Sequence, residues 1–171
     1  MPMSENFVQC LRGLSGVSLH DCRVTRIDRR GGSVELTLPR GVWLLPGCPD
    51  NPGETVCKTR AAILRIPAAE LPRALAVRPM KHHAKPPRRR ALRPLESRAG
   101  PEPLPWNRLR RRVNVEGWTL EFLSCNVRGA FAQMECWLWK PGLNPACECF
   151  FTLRRDSIEV LWSEIDPEIR G

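Results

Sequence analysis

R-I-D-R-R-G-G-S-V-E-L-T-L, residues 26–38, decides the fold class. In its second half Val34, Leu36 and Leu38 alternate with Ser33, Glu35 and Thr37. That is the period-two pattern of a strand with one buried face. Arg30-Gly31-Gly32 stands just before it and supplies residues able to take positive φ. The spacing therefore predicts a tight hairpin back onto a strand at 20–28.

Working outward, V-W-L-L (42–45) is a third apolar piece that ends at Pro46, and G-C-P-D-N-P-G (47–53) reads as loop. Thr55 to Ile66 follows as a strand, with Val56, Ala62, Leu64 and Ile66 in phase. Upstream, Phe7, Cys10, Leu11 and Leu14 share one face of a short helix near 3–15. In the second half Leu109 and Val113, four apart, predict a short basic helix from Trp106 to Val113. Segments 118–127, 130–139, 147–153 and 157–162 are then expected to form a four-stranded antiparallel meander. Strand 130–139 is apolar on both faces, which predicts a central position covered on both sides.

Charge and composition locate one anomaly. The chain of 171 residues has a net charge of +9. Thirteen Lys/Arg against two acids lie between Pro72 and Arg112, which leaves the remainder slightly acidic. Within this stretch the run from Arg78 to Pro105 is rich in Pro and charge and poor in large apolar residues, so it cannot supply a core. The expectation is a single α+β domain over 1–171, largely antiparallel β-sheet in two hairpin or meander halves, with one or two short helices. Its structured halves are 5–71 and 105–166, and a flexible, disordered Arg/Pro-rich basic insertion spans 78–104.

No apolar run reaches the ~20 residues of a membrane helix, and the N-terminus lacks a secretory signal pattern, so a cytoplasmic location is expected. The eight cysteines read as free, mostly buried thiols.

Several motifs carry potential chemistry. His20, Asp21 and Cys22 stand side by side. On a strand, however, His20 and Cys22 lie roughly 6.6–7 Å apart on one face while Asp21 points to the other. A nucleophilic dyad needs contact near 3 Å. The stretch therefore reads as a polar strand entrance whose side chains bond backbone groups. Metal candidates are His20, Cys22, Cys136 and Cys149, which only tertiary contact could assemble; no C-x-x-C pair exists for a zinc knuckle. Phosphate-loop, nucleophile-elbow and paired-carboxylate signatures are absent, so no catalytic residue or cofactor is assigned and a non-enzymatic role is expected. Trp137 and Trp139 share one strand face and form either core or a recognition surface. Lys81, Lys85, Arg88, Arg89, Arg90 and Arg93 form the candidate polyanion arm, which would bind DNA or RNA weakly.

L-H-D-C-R-V (19–24) and V-W-L-L-P (42–46), with E-C-W-L-W (135–139) and C-E-C-F-F (147–151), resemble a group of small uncharacterised bacterial proteins. That group opens with L-H-D-[C/S]-R and closes with the E-C-W-L-W strand. In style they are also similar to immunity-type families of bacterial toxin systems. The resemblance covers about 60 residues and omits the basic insertion. It implies an architecture and a bacterial origin, not a mechanism. The leading expectation is an intracellular protein-interaction domain with an unknown protein partner, immunity-like in style. The alternatives are weak polyanion binding and a Cys/His metal protein.

Overall fold

The computed structural model describes residues 7, 9–80, 100–142 and 145–170, and side chains as far as Asp166. In the first half the strands are β1 (Gln9–Arg12), β2 (Val17–Ser18), β3 (Cys22–Val24), β4 (Arg26–Arg30) and β5 (Ser33–Leu38). Then come β6 (Trp43–Leu44), β7 (Cys57–Thr59), β8 (Ala62–Pro67) and β9 (Ala74–Pro79). After the basic stretch follow β10 (Glu102–Pro105), helix α1 (Trp106–Asn114), β11 (Thr119–Arg128) and β12 (Phe131–Trp139). The chain closes with β13 (Pro145–Arg154), β14 (Glu159–Trp162) and β15 (Ile165–Arg170).

All pairings among the described residues are antiparallel, in three sheets. The first has the order β1-β14-β8-β5-β4, the second β10-β9-β13-β12-β11-β3, and the third β15-β7-β6-β2. This is the expected α+β fold dominated by antiparallel sheet.

The opening hairpin forms as its pattern dictates. Arg30 pairs with Ser33 across Gly31 (φ 53°) and Gly32 (φ 80°), both left-handed as a two-residue turn requires. Val34, Leu36 and Leu38 are buried together with Ile27 of β4. A second row lies on the opposite face, where Asp28, Glu35, Arg65, Glu159 and Arg12 face one another across five strands. Arg65 Nη2 lies 3.0 Å from Glu35, and its Nη1 lies 3.4 Å from Glu159.

Two expected strands each break in two. The segment 20–28 divides at Thr25: β3 pairs with β11 in the six-stranded sheet, whereas β4 pairs with β5 in the five-stranded one. The segment 55–66 divides in the same way, β7 joining the four-stranded sheet and β8 the five-stranded one. These crossings tie the sheets to one apolar core, which draws buried residues from all three.

Other expectations are corrected. Within the range read as a helix near 3–15, residues 9–12 are strand β1. The edge of β14 offers them a ladder, while an isolated short helix is marginal. The meander has three strands, β11-β12-β13, not four. The far edge of β13 is taken by β9, so β14 crosses to the other sheet and lies between β1 and β8. β12 is central but fully buried on one face only, through Ala132, Met134, Cys136 and Leu138. The margins of the basic stretch are paired strand, since Val77 of β9 faces Glu102 of β10.

Helix α1 begins directly after Pro105, where the missing N–H of the preceding proline costs no helical bond. It buries Leu109 and Val113 on one stripe and leaves Arg108, Arg110 and Arg111 exposed. Burial of such aliphatic side chains contributes about 1.5–3 kcal/mol each. Its last residue, Asn114, seals the edge of the five-stranded sheet. The Ile27 N–H donates to Asn114 Oδ1 at 2.9 Å, and Asn114 Nδ2 donates to the Ile27 carbonyl at 2.7 Å.

Candidate functional site

The six-stranded sheet has two unlike faces. Its inner face carries the row Cys22, Phe122, Cys136, Cys149 and Val77 across β3, β11, β12, β13 and β9, all buried. On the outer face, one residue along, the row reads Arg23, Glu121, Trp137, Glu148 and Arg78. Both ends are ion-paired: Arg23 Nε lies 3.2 Å from Glu121, and Arg78 Nη1 lies 3.7 Å from Glu148. The tryptophan thus sits between two carboxylates, each held by an outer arginine.

Aromatic side chains extend this row along β12 and β13. Trp137 and Trp139 meet edge to face with centroids 5.9 Å apart. The Arg23 guanidinium lies 4.9 Å from the Trp139 ring centroid, and Arg78 lies 5.8 Å from that of Phe150. Such stacking contributes about 0.5–1 kcal/mol at exposed sites. Phe131, also on this face, is 52% exposed. None of these outer apolar side chains is fully buried, so the face looks to solvent. Glu135 stands opposite Phe150 and accepts a 3.0 Å hydrogen bond from the Ser124 hydroxyl. It has no ion-pair partner among the described residues.

The His20-Asp21-Cys22 stretch does not form a reactive cluster, although its geometry differs from a continuous strand. Residues 20 and 21 are a turn, and Asp21 takes φ +56°, a conformation that aspartate tolerates better than most residues. Its N–H donates to the Phe122 carbonyl at 2.9 Å. The turn brings the Asp21 carboxylate to 3.5 Å from His20 Nε2, where a regular strand would have pointed it away. His20 Nδ1–H donates to the Leu123 carbonyl at 2.6 Å, so Nδ1 carries the proton. Leu123 lies at the β-bulge of β11, where an irregular ladder leaves a carbonyl for a side chain. Cys22 instead points into the core, its Sγ donating to the His20 carbonyl at 3.6 Å. Burial pushes its thiol up to about 11, far from an activated nucleophile.

The cysteine candidates are likewise set apart. Cys136 and Cys149 face each other on β12 and β13 with Phe122 standing between Cys136 and Cys22. Burial raises the Cys149 thiol to about 12 and holds Cys136 well above the ordinary range. His20 is exposed at the surface, so the four candidates do not converge. Among the described residues no group of three or more His, Cys, Asp or Glu side chains is placed to hold a metal ion. Lys81, Lys85, Arg88, Arg89, Arg90 and Arg93 lie outside the described residues.

Sequence reasoning found Trp137 and Trp139 but missed Arg23, Arg78, Glu121, Glu148 and Phe131. Their grouping depends on pairing between segments as distant as residues 23 and 121. No family model, curated protein or solved structure matches this chain. No helix among the described residues is long and apolar enough to cross a membrane.

Proposed function

We propose that the protein is a non-enzymatic interaction domain whose contact surface is the outer face of the six-stranded sheet. The observation that carries this reading is the outer row Arg23–Glu121–Trp137–Glu148–Arg78, at least partly exposed except for the buried Glu121, with Trp139, Phe150 and Phe131 around it. Rigid aromatic side chains on a sheet give large contact area at little entropic cost and are enriched at binding hot spots. Glu135, with no salt-bridge partner among the described residues and next to Phe150, suits a Lys or Arg of the partner, which would also lie on an aromatic ring. The partner is accordingly a protein that presents a basic side chain among apolar ones. An immunity-type role adds one requirement, that this partner be a toxin whose activity the complex suppresses.

The test compares affinity capture by the wild-type chain, Trp137→Ala and Glu135→Lys. A captured protein is then purified and titrated by calorimetry. Binding should weaken by about thirtyfold or more for Trp137→Ala, the size of a hot-spot loss. Equal binding by all three chains, with unfolding temperatures matched, refutes the proposal.

A second reading rests on the charge map, in which all the excess positive charge lies between Pro72 and Arg112. Such a segment would bind polyanions weakly and with steep salt dependence. Deleting 81–93 should abolish retention on heparin at low salt; unchanged retention would end that reading.

A further inference from the structure

A separate cavity of about 330 Å³, which shares no lining residue with the aromatic face, lies where the β4–β5 hairpin, the segment after β8 and the first turns of α1 meet. Its floor is apolar: Ile27, Val34, Ala68, Leu71, Pro72 and Trp106. Its rim is cationic, with Arg29, Arg73 and Arg110 supplied by three different segments and Asn107 beside them. No acidic residue lines it.

The arginines are the telling part. Arg12, Arg23, Arg26, Arg60, Arg65 and Arg78 meet carboxylates, whereas Arg40, Arg108, Arg128 and Arg154 make no ion pair with a described residue; what sets the cavity arginines apart is that three of them surround one opening with no acid in its lining. Arg29, Arg73 and Arg110 are all exposed, and none makes an ion pair with a described residue. Three like charges around one opening repel each other, and no carboxylate in its lining offsets that. An anion seated among them removes that cost, and guanidinium groups suit phosphate or carboxylate because they donate in a planar fork. Helix α1 adds to the same potential: it starts at this cavity with no acid in its first turn, although Asn107 Oδ1 already accepts from the Arg108 N–H at 2.8 Å.

The apolar floor excludes a bare ion as the best ligand. Ile27 and Val34 are already buried, but a small inorganic anion would leave the part-exposed Leu71 and Trp106 facing water. A molecule with a ring-sized apolar body would cover them, and the volume lies at the small end of the ~300–1,000 Å³ range of ligand pockets. The basic segment of the chain itself is a poor occupant, since its charge has the same sign as the rim.

We infer that this cavity binds a small amphiphilic anion, a phosphate- or carboxylate-bearing molecule of one ring or a fused pair. The anionic group would sit among Arg29, Arg73 and Arg110, and the ring against Trp106 and Leu71. This site is independent of the aromatic face of the other sheet, so either can fail without the other.

The test is calorimetric titration of the full chain with a panel of nucleoside monophosphates, aryl phosphates and aromatic carboxylates. Inorganic phosphate and the uncharged nucleosides serve as the two halves of the ligand. At least one panel member should bind, and both halves should bind at least tenfold more weakly. Arg73→Glu and Arg110→Glu, both at exposed positions, should each weaken that ligand at least tenfold with unchanged unfolding temperature. Arg128→Glu, remote from the cavity, should leave it unaltered. Binding preserved in both rim variants would overturn the inference, as would no binding by any member of the panel. Phosphate alone binding as well as the ring compound would reduce the site to a surface charge effect and overturn it too.

Discussion

The carboxamide of Asn114 meets the edge strand β4 at Ile27, accepting from its N–H and donating to its carbonyl. A side chain performs there what a neighbouring strand performs elsewhere. Asn114→Ala leaves both backbone groups without that partner, and the loss should be about 1–2 kcal/mol in chemical unfolding, since Asn114 itself is exposed. Asn114→Asp keeps the acceptor but sets a carboxylate against the Ile27 carbonyl, so it should not restore stability. A second residue-scale effect concerns the buried thiols. Burial raises Cys22 to about 11 and Cys149 to about 12, against an ordinary value of 9.0. Between pH 9 and those values the unfolded chain has lost protons that the folded chain keeps. Stability is therefore whole below pH 9 and falls as pH climbs through the window. Thermal unfolding followed from pH 8 to 11 should show this decline, with a shallower slope in Cys149→Ala.

At the scale of elements, burial separates a structural ion pair on the five-stranded sheet from a decorative one in the connections beside it. Glu35 is only 5% exposed and bonds Arg65 at 3.0 Å, with Arg30 at 3.5 Å as its other cation. Arg65→Met strips Glu35 and Glu159 of their shared partner and should cost about 1–3 kcal/mol, because a desolvated carboxylate is left underpaired. Arg60 and Glu164 meet at 2.9 Å but are 54% and 59% exposed. Arg60→Ala should stay within about 0.5 kcal/mol, since water already serves both charges. Urea midpoints for the two variants give the contrast directly. The elements also show what the sequence could and could not say. Local signals were sufficient for the β4–β5 hairpin and for α1, each set by its own period and its flanking Gly or Pro. The breaks at Thr25 and near Arg60 were hidden although a trace exists. Buried positions run 22 and 24, then 27, and later 57, 59 and 61, then 62 and 64. Each slip of phase marks a change of sheet. β14 gave no such mark, because a short alternating strand fits any free edge and only the β9–β13 pairing decides where it goes. The aromatic face was half legible for the same reason: Trp137 and Trp139 declare themselves locally, whereas Arg23 and Arg78 reach them only through pairing.

At the scale of the whole molecule, one core serves three sheets, and within the charge-rich stretch its contributors Leu75, Val77, Leu104 and Leu109 all lie outside 81–99. Replacing 81–99 by a short Gly/Ser turn should therefore leave the unfolding temperature within a few degrees of wild type, as measured by circular dichroism. A collapse of cooperative unfolding would show instead that the segment belongs to the fold. The pairing of Val77 with Glu102 has a consequence of its own. Because β9 and β10 hold the two ends of the span side by side, the cost of closing a flexible replacement linker there would grow only with the logarithm of its length, about 0.6 kcal/mol per doubling. The paired ends of β9 and β10 are thus the place where a foreign peptide could be grafted in place of 81–99 with the register of the sheet retained.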